Sequence, residues 1–265
     1  MLLSDAQTAE FARTGYLFFP RLFTPEETAP LLQQVPRELA HEGPEVVRER
    51  GGESVRTVFA AHRRNDLFAR LARHPRLICA AERLLGGPVY LHQFKINVKS
   101  AFDGDLWQWH QDFGTWHRED GMPEARAMNL LVFLEDVNEF NGPLMLIPGS
   151  HVHGNLSAKW DAQTTSYPLW ALDRPTIARL VDQGGIVAPK GPAGSVLLIH
   201  SNVVHASTCN LSPWRRTSVI LSVSRTDNPI AVYKRPEWIA HRDFAAIEVL
   251  ADDCLNPEFP SRRCL

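Results

Sequence analysis

The chain has 265 residues, of which 44% are hydrophobic and 22% are charged, and its formal net charge at pH 7 is −2. This composition is typical of a globular protein, and a chain of this length can form one β-rich domain. The near-neutral charge argues against a nucleic-acid partner, and no apolar stretch reaches the roughly 18 residues of a membrane-spanning helix. We see no secretory signal, and the four cysteines are scattered, so we expect a cytoplasmic protein with reduced thiols.

The N-terminal third of the chain is predicted to be mainly helical. Capping-box patterns at residues 4–7 and 24–27 begin two helices, and the apolar run at residues 15–23 predicts a short strand ended by a proline. Residues 41–57 are charged and contain glycine, which predicts a mobile loop. The spacing of leucine and isoleucine predicts a further helix over residues 65–85.

The rest of the chain is predicted to form a β-structure. β-Branched or alternating runs predict strands over residues 89–99, 127–137, 143–151, 194–205 and 218–226. Many short strands after a helical layer favour a double-sheet jelly roll with flanking helices. We therefore predict one domain over residues 1–265, with the helical layer at about 1–87 and the jelly-roll core at about 88–230. Residues 152–190 lack a strand period, and this segment and segment 41–57 are alternative candidates for a lid.

Three H-x-[DE] pairs are candidate metal ligands, namely His110–Asp112, His117–Glu119 and His241–Asp243. Residues two apart on a strand point to the same face and can reach one ion. Two histidines and one carboxylate on one side of Fe(II) leave positions for a cosubstrate and oxygen. His241 has no later histidine to complete such a group, and His117 lies in a polar, turn-like run. We therefore favour the pair at His110, which follows the apolar sequence LWQW.

Two histidines compete as the third ligand, and one arginine is suited to a cosubstrate. His205 falls at the end of a predicted strand, where ligands project into the mouth of a barrel, so we favour it over His200. An iron site that uses 2-oxoglutarate needs a cation for the distal carboxylate, and arginine matches a carboxylate bidentately. Arg216 and Ser218 could share one strand face, although Arg215 and Arg216 could also be solvated turn charges.

Four aromatic residues surround the favoured pair, namely Trp107, Trp109, Phe113 and Trp116. Such rings can hold a cationic ring nitrogen by cation–π attraction, which would suit a small cyclic amino acid. The alternative is plain core packing, which we expect for at least half of these rings. Phe113 and Trp116 are our candidates for substrate contact.

The chain resembles the phytanoyl-CoA dioxygenase-like superfamily of Fe(II)/2-oxoglutarate oxygenases, near bacterial free-proline trans-4-hydroxylases and ectoine hydroxylases. The resemblance is carried mainly by WHQDFGTWHREDGMP and NGPLMLIPGSH, and further by HQFKINVK and GPAGSVLLIHSNVVHAS. It implies a double-stranded β-helix core with an iron triad of His110, Asp112 and His205. It implies 2-oxoglutarate contacts from Lys99, Arg216, Asn97 and Ser218. From the ectoine branch it implies substrate contacts by Gln93 and Trp116.

The predicted function is therefore an oxygenase that takes Fe(II), 2-oxoglutarate and O2 and hydroxylates a small free cyclic amino or imino acid, of the proline or pipecolate type. Hydroxylation of ectoine is the first alternative. A jelly roll that binds a small molecule without oxidising it is the second. A zinc hydrolase would use similar ligands but would leave Lys99 and Arg216 without a role.

Overall fold

The fold is given by a computed structural model that describes residues 3–256 and residue 259. Six α-helices lie in these residues, namely α1 Asp5–Thr14, α2 Pro25–Leu39, α3 Asp66–Leu71, α4 Pro75–Leu85, α5 Asp112–Asp120 and α6 Arg174–Gly184. The strands are β1 Tyr16–Phe19, β2 Val46–Arg48, β3 Val55–Phe59, β4 Val89–Lys99, β5 Trp107–His110, β6 Ala127–Phe133, β7 Leu144–Leu146, β8 Lys159–Asp161, β9 Leu169–Ala171, β10 Val196–His200, β11 His205–Ser207 and β12 Arg216–Arg225. Within the described residues, no helix combines the length and the apolarity needed to cross a membrane.

Two antiparallel sheets make up the β-structure. The larger sheet has seven strands in the order β1-β10-β6-β12-β4-β3-β2, and the smaller has five in the order β7-β11-β5-β9-β8. At the centre of the larger sheet, β12 lies between β4 and β6 and pairs with both. Strands that are distant in sequence are thus neighbours in space, as in a double-stranded β-helix. This arrangement, with its flanking helices, confirms the predicted fold class.

The main hydrophobic core joins the N-terminal helices to the larger sheet. Its buried side chains include Leu31 of α2, Ile78 of α4, Leu130 of β6, Leu198 of β10 and Leu221 of β12. The helices therefore cover one face of this sheet, and the opposite face remains available to line a cavity.

Strand β4 shows how the sheet separates its two faces. Phe94 and Ile96 belong to the hydrophobic core. Gln93, Lys95 and Asn97 alternate with them and line a cavity on the opposite side. Because successive side chains of a strand point in opposite directions, one strand serves both the core and the cavity.

The N-terminal third contains more strand than predicted. The capping boxes that begin α1 and α2 are confirmed. The predicted loop at residues 41–57 is wrong in part, because β2 and β3 form a hairpin that joins the larger sheet through β4. The predicted helix at residues 65–85 is two helices, α3 and α4. Pro75 causes the break, since it has no N–H and disfavours the helical conformation at His74, which caps α4 instead.

The second half of the chain also departs from the predicted boundaries. Residues 152–190 contain the β8–β9 hairpin at the edge of the smaller sheet, followed by α6. Each of these two strands has three residues, which is too short for an alternating pattern to stand out. The predicted strand at residues 194–205 is two strands, because the chain turns after His200 and β11 begins at His205.

Candidate active site

Three potential metal ligands lie together at the ends of neighbouring elements. His110 is the last residue of β5, Asp112 is the first of α5, and His205 is the first of β11, where it pairs with His110. The sequence pattern placed Asp112 on a strand, but in the structure it begins helix α5. Gln111 keeps an extended backbone, with φ −115° and ψ 131°. The side chains of His110 and Asp112 consequently still point to the same side.

The ligand atoms of these three residues converge on one point. They lie within 4.8 Å of one another, and Nε2 of each histidine is 3.6 Å from a carboxylate oxygen of Asp112. His110 donates its Nδ1–H to the carbonyl oxygen of Gln108 at 2.6 Å, and His205 donates to that of Val203 at 3.0 Å. Because a carbonyl oxygen can only accept, Nδ1 carries the hydrogen in the neutral form of each ring, and Nε2 then offers a lone pair to an ion.

The charge state of the group suits a divalent metal. Burial would raise the pKa of the Asp112 carboxyl, but His205, Lys95 and His110 outweigh it and hold that pKa well below its usual value. Burial, and then repulsion from His110, lowers the pKa of His205 to about 4. Asp112 is therefore ionised and His205 is neutral at pH 7, as metal binding requires. Two imidazoles and one carboxylate form the donor set of non-haem Fe(II) oxygenases.

A cavity beside this group is lined by side chains from both sheets. Its polar lining includes Thr57, Gln93, Lys95, Asn97, Asn129, Arg216, Ser218 and Arg235. Its aromatic lining consists of Phe59, Trp107, Trp116 and Tyr167. The site therefore combines charged anchors with flat apolar walls.

Arg216 is a guanidinium in this cavity that lacks an anion. It is 8% exposed, and within residues 3–256 and 259 no carboxylate forms an ion pair with it. Burial lowers the pKa of Arg216 to about 10, and its Nε has no hydrogen-bond partner. A buried charge without a counter-ion is costly, so this position fits the carboxylate of a ligand such as 2-oxoglutarate.

The sequence matches a known protein family over most of its length. The profile of the phytanoyl-CoA dioxygenase (PhyH) family covers residues 11–218. The chain belongs to this family. It is an Fe(II)- and 2-oxoglutarate-dependent dioxygenase, as the sequence predicted.

Known dioxygenases and a known hydroxylase are similar to nearly the whole chain. An ectoine dioxygenase from Bordetella parapertussis is 40% identical over 94% of this chain and 86% of its own length. An L-proline trans-4-hydroxylase from Streptomyces griseoviridis is 36% identical over 91% of this chain and 93% of its own length. The crystal structure of EctD from S. alaskensis with 2-oxoglutarate and 5-hydroxyectoine has a TM-score of 0.84 and 35% identity, and covers 94% of this chain and 87% of that chain.

Five residues that the sequence analysis assigned to ligands line the cavity of this PhyH-family dioxygenase. Asn97, Arg216 and Ser218 were predicted to contact 2-oxoglutarate, and Gln93 and Trp116 were predicted to contact the substrate. The fold therefore brings these residues into one space with the proposed metal ligands.

Lys99 is the exception among the residues predicted to contact 2-oxoglutarate. Its Nζ donates to the carbonyl oxygens of Thr208, at 2.7 Å, and Asp105, and it does not line the cavity. Burial and the nearby charge of Arg216 lower the pKa of Lys99 to about 6. The lysine that does line the cavity is Lys95, which is half-buried and lies on the same face of β4, four residues earlier.

Phe113 also lies outside the cavity. The turn of α5 carries its ring away from the metal ligands into a hydrophobic cluster with Trp116, Met122 and Ile230. Its ring centroid is 5.4 Å from that of His117. Phe113 therefore has the packing role that was the alternative for the aromatic cluster, rather than the predicted substrate contact.

Lys95 and Arg235 also line the cavity, and neither was predicted from the sequence. Lys95 could have been found from its alternation with Gln93 on β4. Arg235 had no local signal, because it belongs to an irregular segment after β12 and reaches the cavity only in the folded chain. Asp120 holds it there by accepting from its Nε at 2.8 Å, and Nε2 of His92 lies 3.2 Å from the same carboxylate.

The rival histidines have other contacts. His117 and His241 are each 2.8 Å, through Nδ1, from a backbone carbonyl oxygen. Nδ1 of His200 accepts from a backbone N–H at 3.1 Å. Across the described residues, the triad is the only group of three or more potential metal-binding side chains that meets the distance limit above.

Proposed function

We propose that this dioxygenase hydroxylates a C–H bond of a small cyclic zwitterion, with ectoine as the first candidate substrate. In this proposal His110, Asp112 and His205 hold Fe(II). Arg216, assisted by Asn97 and Ser218, binds 2-oxoglutarate. When bound, Fe(II), 2-oxoglutarate and O2 supply the oxidising chemistry, and the protein binds and orients the substrate and excludes water.

The observation that carries this proposal is a second cation in the cavity, the half-buried Lys95, which forms no ion pair within the described residues. Within the described residues, the one hydrogen-bond acceptor of the Lys95 ammonium is Oε1 of Gln93, at 3.4 Å, and the one carboxylate that lines the cavity is Asp112. If Arg216 takes a carboxylate of 2-oxoglutarate, Lys95 remains for a carboxylate on the substrate. Nε2 of Gln93 is buried without a partner and offers a second donor beside it.

The aromatic lining supports a ring-shaped substrate with a positive centre. The ring centroids of Trp107 and Tyr167 are 5.4 Å apart, and those of Phe59 and Tyr167 are 6.2 Å apart. Trp116 lines the same cavity. Such surfaces attract a cationic nitrogen and keep water away from the reacting C–H bond. A small ring with one carboxylate and one cationic nitrogen centre satisfies both the lysine and the aromatic walls.

Ectoine and proline both have this chemistry, and the similar proteins favour ectoine. Ectoine dioxygenases are among the most similar proteins, at up to 40% identity, and the EctD structure described above contains 5-hydroxyectoine. The sequence-based preference for proline or pipecolate therefore becomes the second candidate. The L-proline trans-4-hydroxylase of Streptomyces griseoviridis supports it, because this chain spans 93% of that enzyme.

A substrate panel tests this proposal. Purified enzyme with Fe(II), 2-oxoglutarate and O2 is incubated with ectoine, L-proline or L-pipecolate, and both succinate release and a mass gain of one oxygen are measured. We expect coupled turnover with ectoine and weaker or no turnover with the two amino acids. Coupled turnover of L-proline alone would replace the first candidate by the second. Binding of ectoine without any turnover of 2-oxoglutarate would favour the alternative of a non-catalytic binding protein.

The cytoplasmic location and the single domain over residues 1–265 also stay part of this proposal. The single domain is supported by the continuous hydrophobic core that unites the N-terminal helices with the larger sheet.

A further inference from the structure

Two buried polar residues form a chain of hydrogen bonds that ends on Asp112. Asn129 on β6 and Ser222 on β12 are direct partners in the larger sheet, and they are 3% and 0% exposed. Nδ2 of Asn129 donates to Oδ2 of Asp112. The hydroxyl of Ser222 donates to Oδ1 of Asn129 at 2.6 Å. We call this chain the Ser222–Asn129 relay.

The direction of the relay is fixed by chemistry. The ionised carboxylate of Asp112 can only accept hydrogen bonds, so Asn129 has to present its amide nitrogen to it. The amide oxygen of Asn129 then faces Ser222, whose hydroxyl is the donor. Each polar atom that takes part in the relay is therefore either a donor or an acceptor, and the hydrogen bonds run from Ser222 through Asn129 to Asp112.

Without the relay, the two oxygens of Asp112 are equivalent with respect to the histidines. Oδ1 lies 3.6 Å from Nε2 of His110, and Oδ2 lies 3.6 Å from Nε2 of His205. Either oxygen, or both together, can therefore reach an ion held by the two imidazoles. The hydrogen bond from Asn129 falls on Oδ2 alone and removes this equivalence.

We propose that Asn129 and Ser222 are positioning residues that make Asp112 bind iron through Oδ1 only. This inference rests on the proposed function, in which His110, Asp112 and His205 hold the metal. Three protein donor atoms on six-coordinate Fe(II) leave three positions for the cosubstrates. A second oxygen from Asp112 would take one of them. The relay thus reserves room for 2-oxoglutarate by engaging the oxygen that would compete with it.

Ser222 separates this role from a direct ligand contact. Asn129 lines the cavity, so its removal could weaken 2-oxoglutarate binding by direct loss of a contact. Ser222 does not line the cavity, and its hydroxyl acts on the site through Asn129. Ser224 is the matched control: it is the same residue type, equally buried, on the same strand, and its hydroxyl bonds to the backbone carbonyl of Arg126 at 3.3 Å.

The test uses Co(II) as a spectroscopic probe in the full-length wild type, Asn129→Ala, Ser222→Ala and Ser224→Ala. The affinity for Co(II), its visible spectrum and the affinity of the Co(II) protein for 2-oxoglutarate are measured. We expect Asn129→Ala to change the Co(II) spectrum and to weaken 2-oxoglutarate binding about 10–100-fold, the factor by which loss of a residue that orients a metal ligand typically lowers metal affinity or activity. Ser222→Ala should shift both readings in the same direction by a smaller factor, and Ser224→Ala should match the wild type.

The outcomes distinguish the relay from the site on which it rests. If the wild type binds Co(II) and both Asn129→Ala and Ser222→Ala leave the Co(II) spectrum unchanged, the relay has no positioning role. Should Asn129→Ala fail to fold, an unchanged spectrum in Ser222→Ala alone overturns the proposal. If the wild type binds no more Co(II) than His110→Ala does, the proposed metal site itself is wrong, and the relay falls with it.

Discussion

At the scale of single residues, we propose that Lys95 and Arg216 divide the recognition of carboxylates between them. Arg216 is buried and Lys95 is half-buried, and both line the cavity on the polar face of the larger sheet. Their separate places on β4 and β12 allow one cation for the cosubstrate and one for the substrate. This division predicts that the two charges can be removed with different consequences.

Replacement of Lys95 by Gln should weaken substrate binding and spare the cosubstrate. Loss of a hydrogen bond to a charged group costs about 1.5–3 kcal/mol, which corresponds to a rise of about 10–150-fold in the KM for ectoine. The KM for 2-oxoglutarate should stay within about twofold of the wild-type value. Steady-state kinetics with each substrate varied in turn measures both constants.

The reciprocal variant is the control for this prediction. Arg216→Gln should raise the KM for 2-oxoglutarate by a similar factor. Equal effects of Lys95→Gln on both KM values would contradict separate roles for the two cations.

The sequence identifies some of these residues and not others, for physical reasons. His110 and Asp112 are recognisable because extended backbone at Gln111 preserves the alternation of side chains. Lys95 and Lys99 are four residues apart on β4 and point to the same side, so the sequence pattern cannot tell which of them reaches the cavity. Carbonyl oxygens of two loop residues, Asp105 and Thr208, bind the side chain of Lys99 instead. Arg235 depends on tertiary contact with Asp120, which no local pattern reports.

At the scale of elements, two hairpins meet beside the cavity, and they come from the two segments that were alternative candidates for a lid. Residues 46–59 form one hairpin and residues 159–171 the other. Ser166 donates to Glu49 at 2.9 Å, and Arg50 donates to the carbonyl oxygens of Ala162 and Thr165 at 3.2 and 3.3 Å. We propose that the two segments close the site together, since the second also places Tyr167 in the cavity wall.

Loss of the link between the hairpins should loosen the closure of the site. Arg50→Ala removes two of these hydrogen bonds and leaves the one from Ser166 to Glu49. We expect a larger fraction of 2-oxoglutarate turnover without product, because water then reaches the reacting centre. The ratio of succinate to hydroxylated product should rise about two- to fivefold. Arg48→Ala is the matched control, because Arg48 bonds within its own hairpin, to the carbonyl oxygen of Glu53. Equal ratios in the two variants would argue against a shared closure.

At the scale of the whole molecule, buried and half-buried histidines couple folding to pH. Burial is the largest cause that lowers the pKa values of His74, His200 and His241 to about 4. In the unfolded chain a histidine titrates near 6.5, so the unfolded state binds more protons between pH ~6.5 and ~4. The stability from these groups is therefore complete above pH ~6.5 and is lost as the pH falls through this window.

The metal-free enzyme should consequently lose stability on mild acidification. Each buried histidine contributes up to about 1.4 kcal/mol per pH unit, so the free energy of unfolding should fall by at least about 1 kcal/mol from pH 6.5 to 5.5. Urea unfolding at both pH values measures this change. His74→Gln should reduce the slope, whereas replacement of the exposed His153 by Gln should not. A free energy that stays constant over this interval would contradict the account.

The central claim is that His110, Asp112 and His205 hold the iron to which 2-oxoglutarate binds. Its most direct test is the visible charge-transfer band that appears when 2-oxoglutarate is added, without oxygen, to the Fe(II)-loaded protein. We predict this band in the wild type and its loss in Asp112→Ala. A folded, iron-loaded wild type without the band, or an Asp112→Ala variant that keeps it, would contradict the claim.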